Sequence, residues 1–395
     1  MTKIFKFANK FIRFITYTVS LFLRFVLPVR KGRVLLWATL GKDYGCNPMY
    51  ISKYLVKNEP YFDVWWMFRK GIEIKGLDFR EKVCLYGSLK YLYILNTAEF
   101  IITNHRTRPR DFYWKKKRSQ KYIMTWHGSM PIKKVEKDAI EALPEEYVKM
   151  AKMDSLNCDL MLSDSAFFTN LIRNSFFYEG EILKTSLPRN YKFYEKNGFK
   201  KYREKVLSYF NLNNSLDNLI VLYAPTFRDN NSVEQYITNW DKIKTAFETK
   251  YHKEVIILVR LHPNLLNTID TNDLIQSNYV KNASIYGDMQ ELMVASDVLI
   301  TDYSSTMFEF SMMNKPCFLY MPDLDIYNRG FYFNIQDLPF ARSTDVPSLI
   351  SDIIKYDNEI YGNRIKTFIR REFNLYDVSE GCVELSKWMH KHSVS

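Results

Sequence analysis

The sequence predicts an α/β protein of two lobes, each built on a parallel β-sheet. The chain has 395 residues, which is more than one typical domain holds. Short apolar runs rich in β-branched residues alternate with helical stretches in two series, one on each side of a polar, charged stretch at residues 188–205. Hydrophobic residues make up 47% of the chain and aromatic residues 16%, which is enough for two large cores.

The strand candidates share continuous apolar character, which is typical of buried strands in parallel sheets. In the first series they are residues 33–37, 62–68, 99–104, 121–125 and 159–163, with helices predicted at 47–56 and 91–96. In the second series they are residues 219–224, 254–259, 284–286, 297–300 and 316–320, and helical segments between residues 360 and 390 close the chain.

The N-terminal segment has the pattern of an amphipathic helix. Polar positions recur every three or four residues and form one stripe, and phenylalanines cover much of the remaining surface. The longest uncharged run, residues 14–23, has ten residues, whereas a membrane-spanning helix needs ~20. We therefore expect a helix in a membrane interface with its cations toward the lipid headgroups, or alternatively a helix docked on the protein's own core. The stripe consists of Lys6, Lys10, Arg13, Tyr17, Ser20 and Arg24.

Charge and cysteine content indicate the cytoplasmic face of the cell membrane. The net charge is +12, and the basic residues concentrate in residues 1–33 and 105–121. The first of these stretches is also strongly apolar, and the chain has no recognisable nucleic-acid-binding module, so an anionic membrane surface is favoured over nucleic acid. The five scattered cysteines form no Cys-x-x-Cys pair, which is typical of free thiols in a reducing compartment.

Polar residues follow several predicted strands at their carboxyl ends, where open α/β sheets bind ligands. His127 follows one strand, and an imidazole there can take a proton near neutral pH. In the second lobe Arg228 follows one strand, and Arg260 and His262 follow the next. Because the guanidinium fork binds phosphate, this edge predicts a site for a dianionic ligand, as phosphoryl transfer requires.

The strand at 297–300 turns into a predicted helix at 306–313 through Asp302, Ser304 and Ser305. Unpaired backbone N–H groups and the helix dipole at such a turn form an anion site, although an ordinary helix N-cap is the alternative. The pattern is echoed earlier in the chain, where Asp164 and Ser165 follow the strand at 159–163.

Five ordered blocks resemble the CDP-glycerol glycerophosphotransferase family of teichoic-acid and capsule biosynthesis. They are W-H-G-S-M-P-I-K-K at 126–134, A-P-T-F-R at 224–228, R-L-H-P at 260–263, D-Y-S-S at 302–305 and R-G-F-Y-F at 329–333, and the resemblance covers roughly residues 34–390. It implies a GT-B-like fold with two Rossmann-like lobes facing a central cleft. It also implies transfer of a polyol phosphate from CDP-glycerol or CDP-ribitol to a hydroxyl of an undecaprenyl-pyrophosphate-linked saccharide or a polyol-phosphate chain, with release of CMP.

Carried over to this chain, the resemblance makes His127 the candidate base and His262 a second catalytic residue. Arg228, Arg260 and His262 would hold the pyrophosphate, and Ser304 and Ser305 would bind it from the helix start. No cofactor is expected and no metal is indicated. The other substrate-binding candidates are Gly128, Ser129, Pro131, Lys133, Arg189, Pro225, Thr226, Asp302, Glu309, Arg329 and Gly330.

Two departures from the family pattern affect the donor's polyol. Tyr191 closes the S-L-P-R-N-Y block, where members often have Asp, and Asn334 stands where many members have Asp. The choice between glycerol and ribitol, and between a primase and a polymerase, therefore stays open.

The predicted organisation has four parts. Residues 1–31 form the interface helix, 32–190 the acceptor lobe, 200–360 the CDP-polyol-binding lobe, and 361–395 helices that pack back across the lobes.

A GT-B glycosyltransferase using a nucleotide sugar is the alternative function, because Asp323 and Asp325 form a D-x-D sequence. Turn residues around these two aspartates favour a solvated loop instead. A non-catalytic membrane scaffold would leave the Arg, His and Ser residues at the strand ends unexplained.

Overall fold

The structure is a computed structural model that describes residues 2–212, 217–226, 228, 236, 239–261, 277–326, 330–376 and 381–393. The predictions for His262 and Arg329 lie outside these residues. Two compact units make up the chain. Unit 1 comprises Met1–Ser129, Val135–Arg189 and Tyr376–Ser395, and unit 2 comprises Met130–Lys134 and Asn190–Leu375. The terminal segment predicted as one part, residues 361–395, is thus divided between the units.

Unit 1 contains a seven-stranded parallel sheet in the order β3-β2-β1-β4-β5-β6-β7. The order reverses between β1 and β4, and such a reversal is where open α/β sheets form a ligand-binding crevice. The strands are β1 (Arg30–Trp37), β2 (Asp63–Phe68), β3 (Lys82–Leu85), β4 (Ala98–Thr103), β5 (Lys121–Met124), β6 (Leu160–Ser163) and β7 (Glu181–Lys184). The helices are α1 (Thr2–Val26), α2 (Cys46–Asn58), α3 (Leu89–Thr97), α4 (Glu145–Asn157) and α5 (Ala166–Ser175).

Unit 2 contains a six-stranded parallel sheet in the order β10-β9-β8-β11-β12-β13, which reverses between β8 and β11. Its strands are β8 (Leu219–Tyr223), β9 (Val255–Val259), β10 (Val280–Asn282), β11 (Val298–Thr301), β12 (Cys317–Tyr320) and β13 (Ala341–Ser343). Its helices are α6 (Gly198–Tyr209), α7 (Asp241–Tyr251), α8 (Met289–Ala295), α9 (Thr306–Ser311), α10 (Val346–Lys355) and α11 (Asn358–Phe368).

The last helix, α12 (Gly381–Lys391), returns to unit 1. Its residues Leu385, Trp388 and Met389 belong to the same buried core cluster as Ile51 and Leu55 of α2. Unit 1 is therefore completed by residues from the end of the chain.

One strand was predicted at the wrong place. Residues 284–286 form a turn, and the strand next to β9 is β10, slightly earlier in the chain. Ile285, which made the turn look apolar, is 71% exposed, whereas β10 contains one buried residue, Val280. The helix predicted at 306–313 is also shorter, because α9 ends at Ser311.

Helix α1 lies on unit 1, and Arg13, Ser20 and Arg24 of its polar stripe contact the protein, so these two arginines do not face lipid as predicted. The Ser20 hydroxyl donates to the Tyr113 carbonyl and accepts from the Asn96 amide at 2.9 Å. The Arg24 guanidinium donates to the Lys115 carbonyl at 3.0 Å. Among the described residues, no helix combines the length and the apolar character that crossing a bilayer requires.

Candidate active site

The strand-order reversal in unit 1 is occupied by Asn104, the residue that follows β4. Its side chain is buried, and its Oδ1 atom accepts a hydrogen bond from the backbone N–H of Thr39, just beyond β1, at 3.0 Å. Asn104 thus joins the carboxyl ends of the two strands between which the order reverses. The predicted base, His127, follows the neighbouring strand β5.

His127 has the geometry of a general base. Its Nδ1 atom lies 3.1 Å from the carbonyl oxygen of Asn104. Since a carbonyl can only accept, Nδ1 carries the hydrogen in the neutral ring and Nε2 carries the lone pair. Loss of hydration lowers the pKa of His127 below its ordinary value of 6.5, and nearby Arg189 lowers the pKa further, while the Asn104 carbonyl opposes the change. His127 is nevertheless an exposed residue, and solvent limits the size of this shift.

His105, which the sequence analysis overlooked, lies against His127. The two rings are nearly parallel, with centroids 4.5 Å apart and an angle of 12° between planes. The Nδ1 atom of His105 lies 2.9 Å from Oδ1 of Asn104. Burial, followed by the neighbouring His127, lowers the pKa of His105 to about 3. Its place just beyond β4 is the same strand-end signal that identified His127.

Four residues around this edge of the sheet have strained backbone conformations. Thr39 (φ 47°), Leu40 (φ 59°), Cys46 (φ 55°) and Trp126 (φ 54°) all adopt left-handed conformations, which bulky and β-branched residues rarely do. The first two follow β1, Cys46 begins α2, and Trp126 directly precedes His127. Such strain persists where surrounding contacts hold the backbone, and it is concentrated at functional sites.

Two buried polar residues hold the loop that carries His127. The Asn47 amide donates to the carbonyls of Thr125 and Trp126 at 3.3 and 3.0 Å, and its Oδ1 atom accepts from the backbone N–H of Arg189 at 3.0 Å. Asn47 therefore couples the histidine loop to the predicted site residue Arg189. It was predicted only as part of a helix start, yet its side chain is fully buried.

Ser129 is also part of this framework. Its hydroxyl donates to a carboxylate oxygen of Asp164 at 2.7 Å, and both side chains are buried. Substrate binding by Gly128 and Ser129 stays a prediction, and in this structure the Ser129 hydroxyl is engaged with Asp164.

The strand-order reversal in unit 2 has a comparable arrangement. Asp302, just beyond β11, accepts hydrogen bonds from the backbone N–H of Thr226, just beyond β8, at 2.9 and 3.1 Å. Asp164 and Asp302, the two residues of the sequence echo, therefore each fasten the loop that follows another strand of the same sheet. Pro225, between β8 and Thr226, is buried within this loop.

Arg228 differs from its predicted role as a pyrophosphate ligand. It is buried, and each of its three nitrogen atoms contacts an oxygen atom of unit 2. Nε donates to Asp323 at 2.6 Å. The terminal nitrogen Nη2 donates to the same carboxylate at 3.1 Å and forms an ion pair with Asp302 at 2.8 Å. The other nitrogen donates to the Thr226 carbonyl at 2.9 Å and to its hydroxyl. Arg228 therefore organises the loops instead of presenting its donors to a ligand.

Asp323 was expected in a solvated loop, and that expectation is wrong. Only 8% of the residue is exposed, and its two carboxylate oxygens accept from Arg228 and from the Tyr303 hydroxyl. Asp325 of the same D-x-D sequence is exposed. Since Asp323 neutralises a buried arginine, the geometry does not favour the metal-dependent glycosyltransferase alternative.

The remaining candidates of unit 2 have mixed environments. The Arg260 guanidinium donates to the carbonyls of Ala283 and Tyr286 at 3.1 and 2.6 Å. Ser304 and Ser305 are half-buried before α9, and the Ser304 hydroxyl lies 2.8 Å from that of Thr306. Helix α9 has six residues, so its dipole adds less to anion binding than the prediction assumed. Glu309 is buried, and its carboxylate accepts a hydrogen bond from the Gln290 amide at 3.5 Å.

The first block of the resemblance is divided between the units. His127–Ser129 belongs to unit 1, whereas the next five residues, including Pro131 and Lys133, belong to unit 2. There Lys133 forms an antiparallel bridge with Phe331, and the Lys134 N–H donates to the Gly330 carbonyl at 2.8 Å. The Phe331 ring stacks on Tyr303 at 5.7 Å. Unit 2 therefore brings together the Lys-Lys end of the first block, the D-Y-S-S block and the R-G-F-Y-F block.

A comparison of the sequence with known protein families identifies the family of this chain. A family model described as CDP-Glycerol:Poly(glycerophosphate) glycerophosphotransferase matches residues 19–380. The chain belongs to this family. Within the described ranges, no three His, Cys, Asp or Glu side chains are grouped so that they could hold a metal ion.

Curated relatives of this glycerophosphotransferase family member carry teichoic-acid names. The teichoic acid poly(glycerol phosphate) polymerase of Staphylococcus epidermidis is 30% identical over 84% of this chain and 47% of the relative. The teichoic acid glycerol-phosphate transferase of Staphylococcus aureus is 31% identical over 80% of this chain and 82% of the relative. The teichoic acid ribitol-phosphate primase of Bacillus spizizenii is 27% identical, with 92% of both chains covered. The chain spans about half the length of the first relative and most of the other two.

The solved structure of the wall teichoic acid polymerase TagF matches this glycerophosphotransferase family member with a TM-score of 0.81. The two are 25% identical, and the match covers 99% of this chain and 97% of that chain. The comparison confirms the predicted α/β fold with two parallel sheets of the GT-B-like type. The cleft predicted between the lobes stays a prediction.

Proposed function

We propose that this chain transfers a glycerol phosphate group from CDP-glycerol to a hydroxyl group of an acceptor and releases CMP. Membership of the family and the names of the relatives support the reaction class. The observation that carries the assignment of the base is the contact between Nδ1 of His127 and the Asn104 carbonyl, which leaves the lone pair on Nε2. CDP-ribitol is the second candidate donor, because one relative is a ribitol-phosphate primase.

In the proposed reaction, Nε2 of His127 accepts the proton of the acceptor hydroxyl as its oxygen attacks the phosphorus atom next to the glycerol. A new P–O bond forms, the bond between that phosphorus and the bridging pyrophosphate oxygen breaks, and CMP leaves with the electron pair. The lowered pKa of His127 keeps the ring neutral at neutral pH but also reduces its basicity, so the assignment of the base rests on the geometry of its two nitrogen atoms. The acceptor is a lipid-linked saccharide or a polyol-phosphate chain.

The donor's two phosphates require positive charge and hydrogen-bond donors. We assign their binding to Arg260 and to the Ser304 and Ser305 hydroxyls, together with His262 and Arg329, which lie outside the described residues. Arg189 and Lys133 are assigned to the substrate as well. Arg228 supports the site by holding Asp302 and Asp323 in place.

A transfer assay tests this proposal. Purified chain receives CDP-glycerol, CDP-ribitol or UDP-sugars in separate reactions, each with a lipid-linked saccharide or a short glycerol-phosphate oligomer, and nucleotide release is measured. We expect CMP from a CDP-polyol and a loss of about 10²–10⁴-fold in kcat for His127→Gln. His252→Asn, which replaces an exposed histidine in unit 2, is the matched control. Absence of CMP from both CDP-polyols overturns the function, and an active His127→Gln overturns the base.

We also propose that α1 attaches the chain peripherally to an anionic membrane. With Ser20 and Arg24 bound to unit 1, α1 exposes large apolar side chains, among them Phe14 at 60%, Phe22 at 64% and Phe25 at 85%. Exposed Lys115 and Arg118 lie in the loop that receives the C-terminal end of α1. An apolar helix face flanked by cations is suited to insertion into the interface of an anionic bilayer.

Vesicle flotation tests the attachment. Phe25→Asp is expected to reduce binding to phosphatidylglycerol vesicles at least several-fold, because a charge in the apolar face opposes insertion. Phe79→Asp is the matched control, since Phe79 is 92% exposed in a loop of the same unit. Equal loss in both variants, or equal binding to neutral and anionic vesicles, contradicts the proposal.

A further inference from the structure

The environment of His127 includes a group that the proposed reaction does not use. His105 follows β4 directly, and its ring covers one face of the His127 ring at 4.5 Å. The indole of Trp126 also stacks on His127, at 4.5 Å and 29°. His127 is therefore held in orientation by ring contacts as well as by its hydrogen bond.

Asn104 connects the two histidines. Its carbonyl oxygen accepts from Nδ1 of His127 at 3.1 Å, and its Oδ1 atom lies 2.9 Å from Nδ1 of His105. That oxygen also accepts from the Thr39 N–H, which fixes the Asn104 side chain with its oxygen toward His105. Both rings consequently carry hydrogen on Nδ1 and present a lone pair on Nε2.

This arrangement constrains the charge of His105. A protonated imidazole stacked on His127 would raise the cost of placing a second proton there, because like charges at this distance repel. Burial keeps His105 neutral at neutral pH, and its pKa falls to about 3. A neutral ring supplies a flat packing surface without opposing proton transfer to His127.

We propose that His105 is a positioning residue for the family reaction: by stacking on His127 it keeps that ring against the Asn104 carbonyl, so that the Nδ1–H tautomer is retained and Nε2 is directed to accept a proton. The inference rests on the proposed function for its effect on rate, whereas its effect on His127 itself does not depend on turnover. A flat neutral ring at position 105 is the property required, so aromatic replacements preserve part of the effect.

The first test measures steady-state rates. His105→Ala is expected to lower kcat about 10-fold with little change in the KM for CDP-glycerol, because a base that is poorly oriented reacts more slowly without binding the donor less well. His105→Phe restores the flat ring and is expected to recover most of the rate. Recovery by Phe separates positioning from a chemical role for the imidazole, and His252→Asn controls for the loss of a histidine elsewhere. Equal losses in Ala and Phe, or a change confined to KM, overturn the proposal.

The second test observes His127 without turnover. Protein labelled with ¹⁵N-histidine gives long-range ¹H–¹⁵N spectra of its six histidines, and His127→Gln identifies the His127 signals. The wild type is expected to show His127 in the Nδ1–H tautomer, and His105→Ala a mixture of tautomers. An unchanged tautomer in His105→Ala overturns the inference even if the chain transfers no phosphate in the assay. A shifted tautomer with no CMP production supports the inference while contradicting the proposed function.

Discussion

A histidine that acts as a base near neutral pH must resist protonation while it keeps one nitrogen available. His127 meets both conditions, because the surrounding protein lowers its pKa and the Asn104 carbonyl occupies Nδ1. The same carbonyl stabilises the protonated ring that forms during transfer. The pKa of His127 thus depends on loss of water and on one backbone oxygen. Among the described residues, His127 has no carboxylate hydrogen-bond partner.

The lowered pKa of His127 gives a prediction for the pH dependence of the rate. The neutral ring is the active form, and its pKa in the folded protein lies below 6.5. As pH falls from 8, kcat/KM is therefore expected to decline along an acid limb whose midpoint lies below pH 6.5. The measurement is kcat/KM for CMP release between pH 5 and 8. An acid limb with a midpoint at or above 6.5 contradicts the prediction.

Arg228 supplies a prediction for stability at the residue scale. Arg228→Met leaves Asp302 and Asp323 buried without their counter-charge, and breaking a buried ion pair in this way costs about 3–5 kcal/mol. The free energy of unfolding of unit 2, measured by hydrogen exchange in β8 and β11, should fall by this amount. Lys149→Ala, in a solvent-exposed pair, should change stability by less than about 0.5 kcal/mol. A loss below about 1 kcal/mol for Arg228→Met would show that the carboxylates find other partners.

At the scale of elements, the central strands of both sheets were predictable because both of their faces are buried, which makes them continuous apolar runs. The edge strands β3 and β7 were not predicted because they are short and partly exposed.

The site residues were predictable where they follow a strand, as His127 and Asp302 do. The role of Arg228 could not be predicted, since its partner Asp323 lies 95 residues further along the chain. Asn47 acts through contacts between separate elements, which local patterns do not encode, whereas His105 follows β4 and had the same strand-end signal as His127.

The docking of α12 depends on a glycine. A Cβ atom on Gly381 would lie 2.0 Å from the Ser186 carbonyl oxygen, which is a backbone atom and cannot swing away. Gly381→Ala should therefore displace the start of α12 and destabilise unit 1 by about 1–3 kcal/mol or more. Thermal unfolding monitored by near-UV circular dichroism measures the effect. Gly287→Ala is the matched control because no atom lies within 4 Å of its added Cβ, and equal melting temperatures for the two variants would contradict the prediction.

At the scale of the whole molecule, the two units are built from interleaved stretches of chain. Unit 1 takes its last helix from the C-terminal end, and unit 2 takes Met130–Lys134 from within the N-terminal half. The second exchange places the Lys-Lys end of the histidine block on the R-G-F-Y-F block of unit 2. The segment that follows the base in the chain is thus anchored in the unit to which we assign donor binding.

The return of α12 also predicts how the molecule unfolds. Deleting residues 376–395 removes Leu385, Trp388 and Met389 from the core of unit 1. Each buried apolar side chain contributes about 1.5–3 kcal/mol, so their loss is comparable to the ~5–15 kcal/mol that stabilises a typical domain. Hydrogen exchange should show loss of protection in β1–β7 and retained protection in β8–β13. Deleting only residues 394–395 is the control. Equal loss of protection in both sheets would mean that the two units unfold as one cooperative body, because the described buried cluster around β8 and β9 of unit 2 contains no residue of the deleted segment.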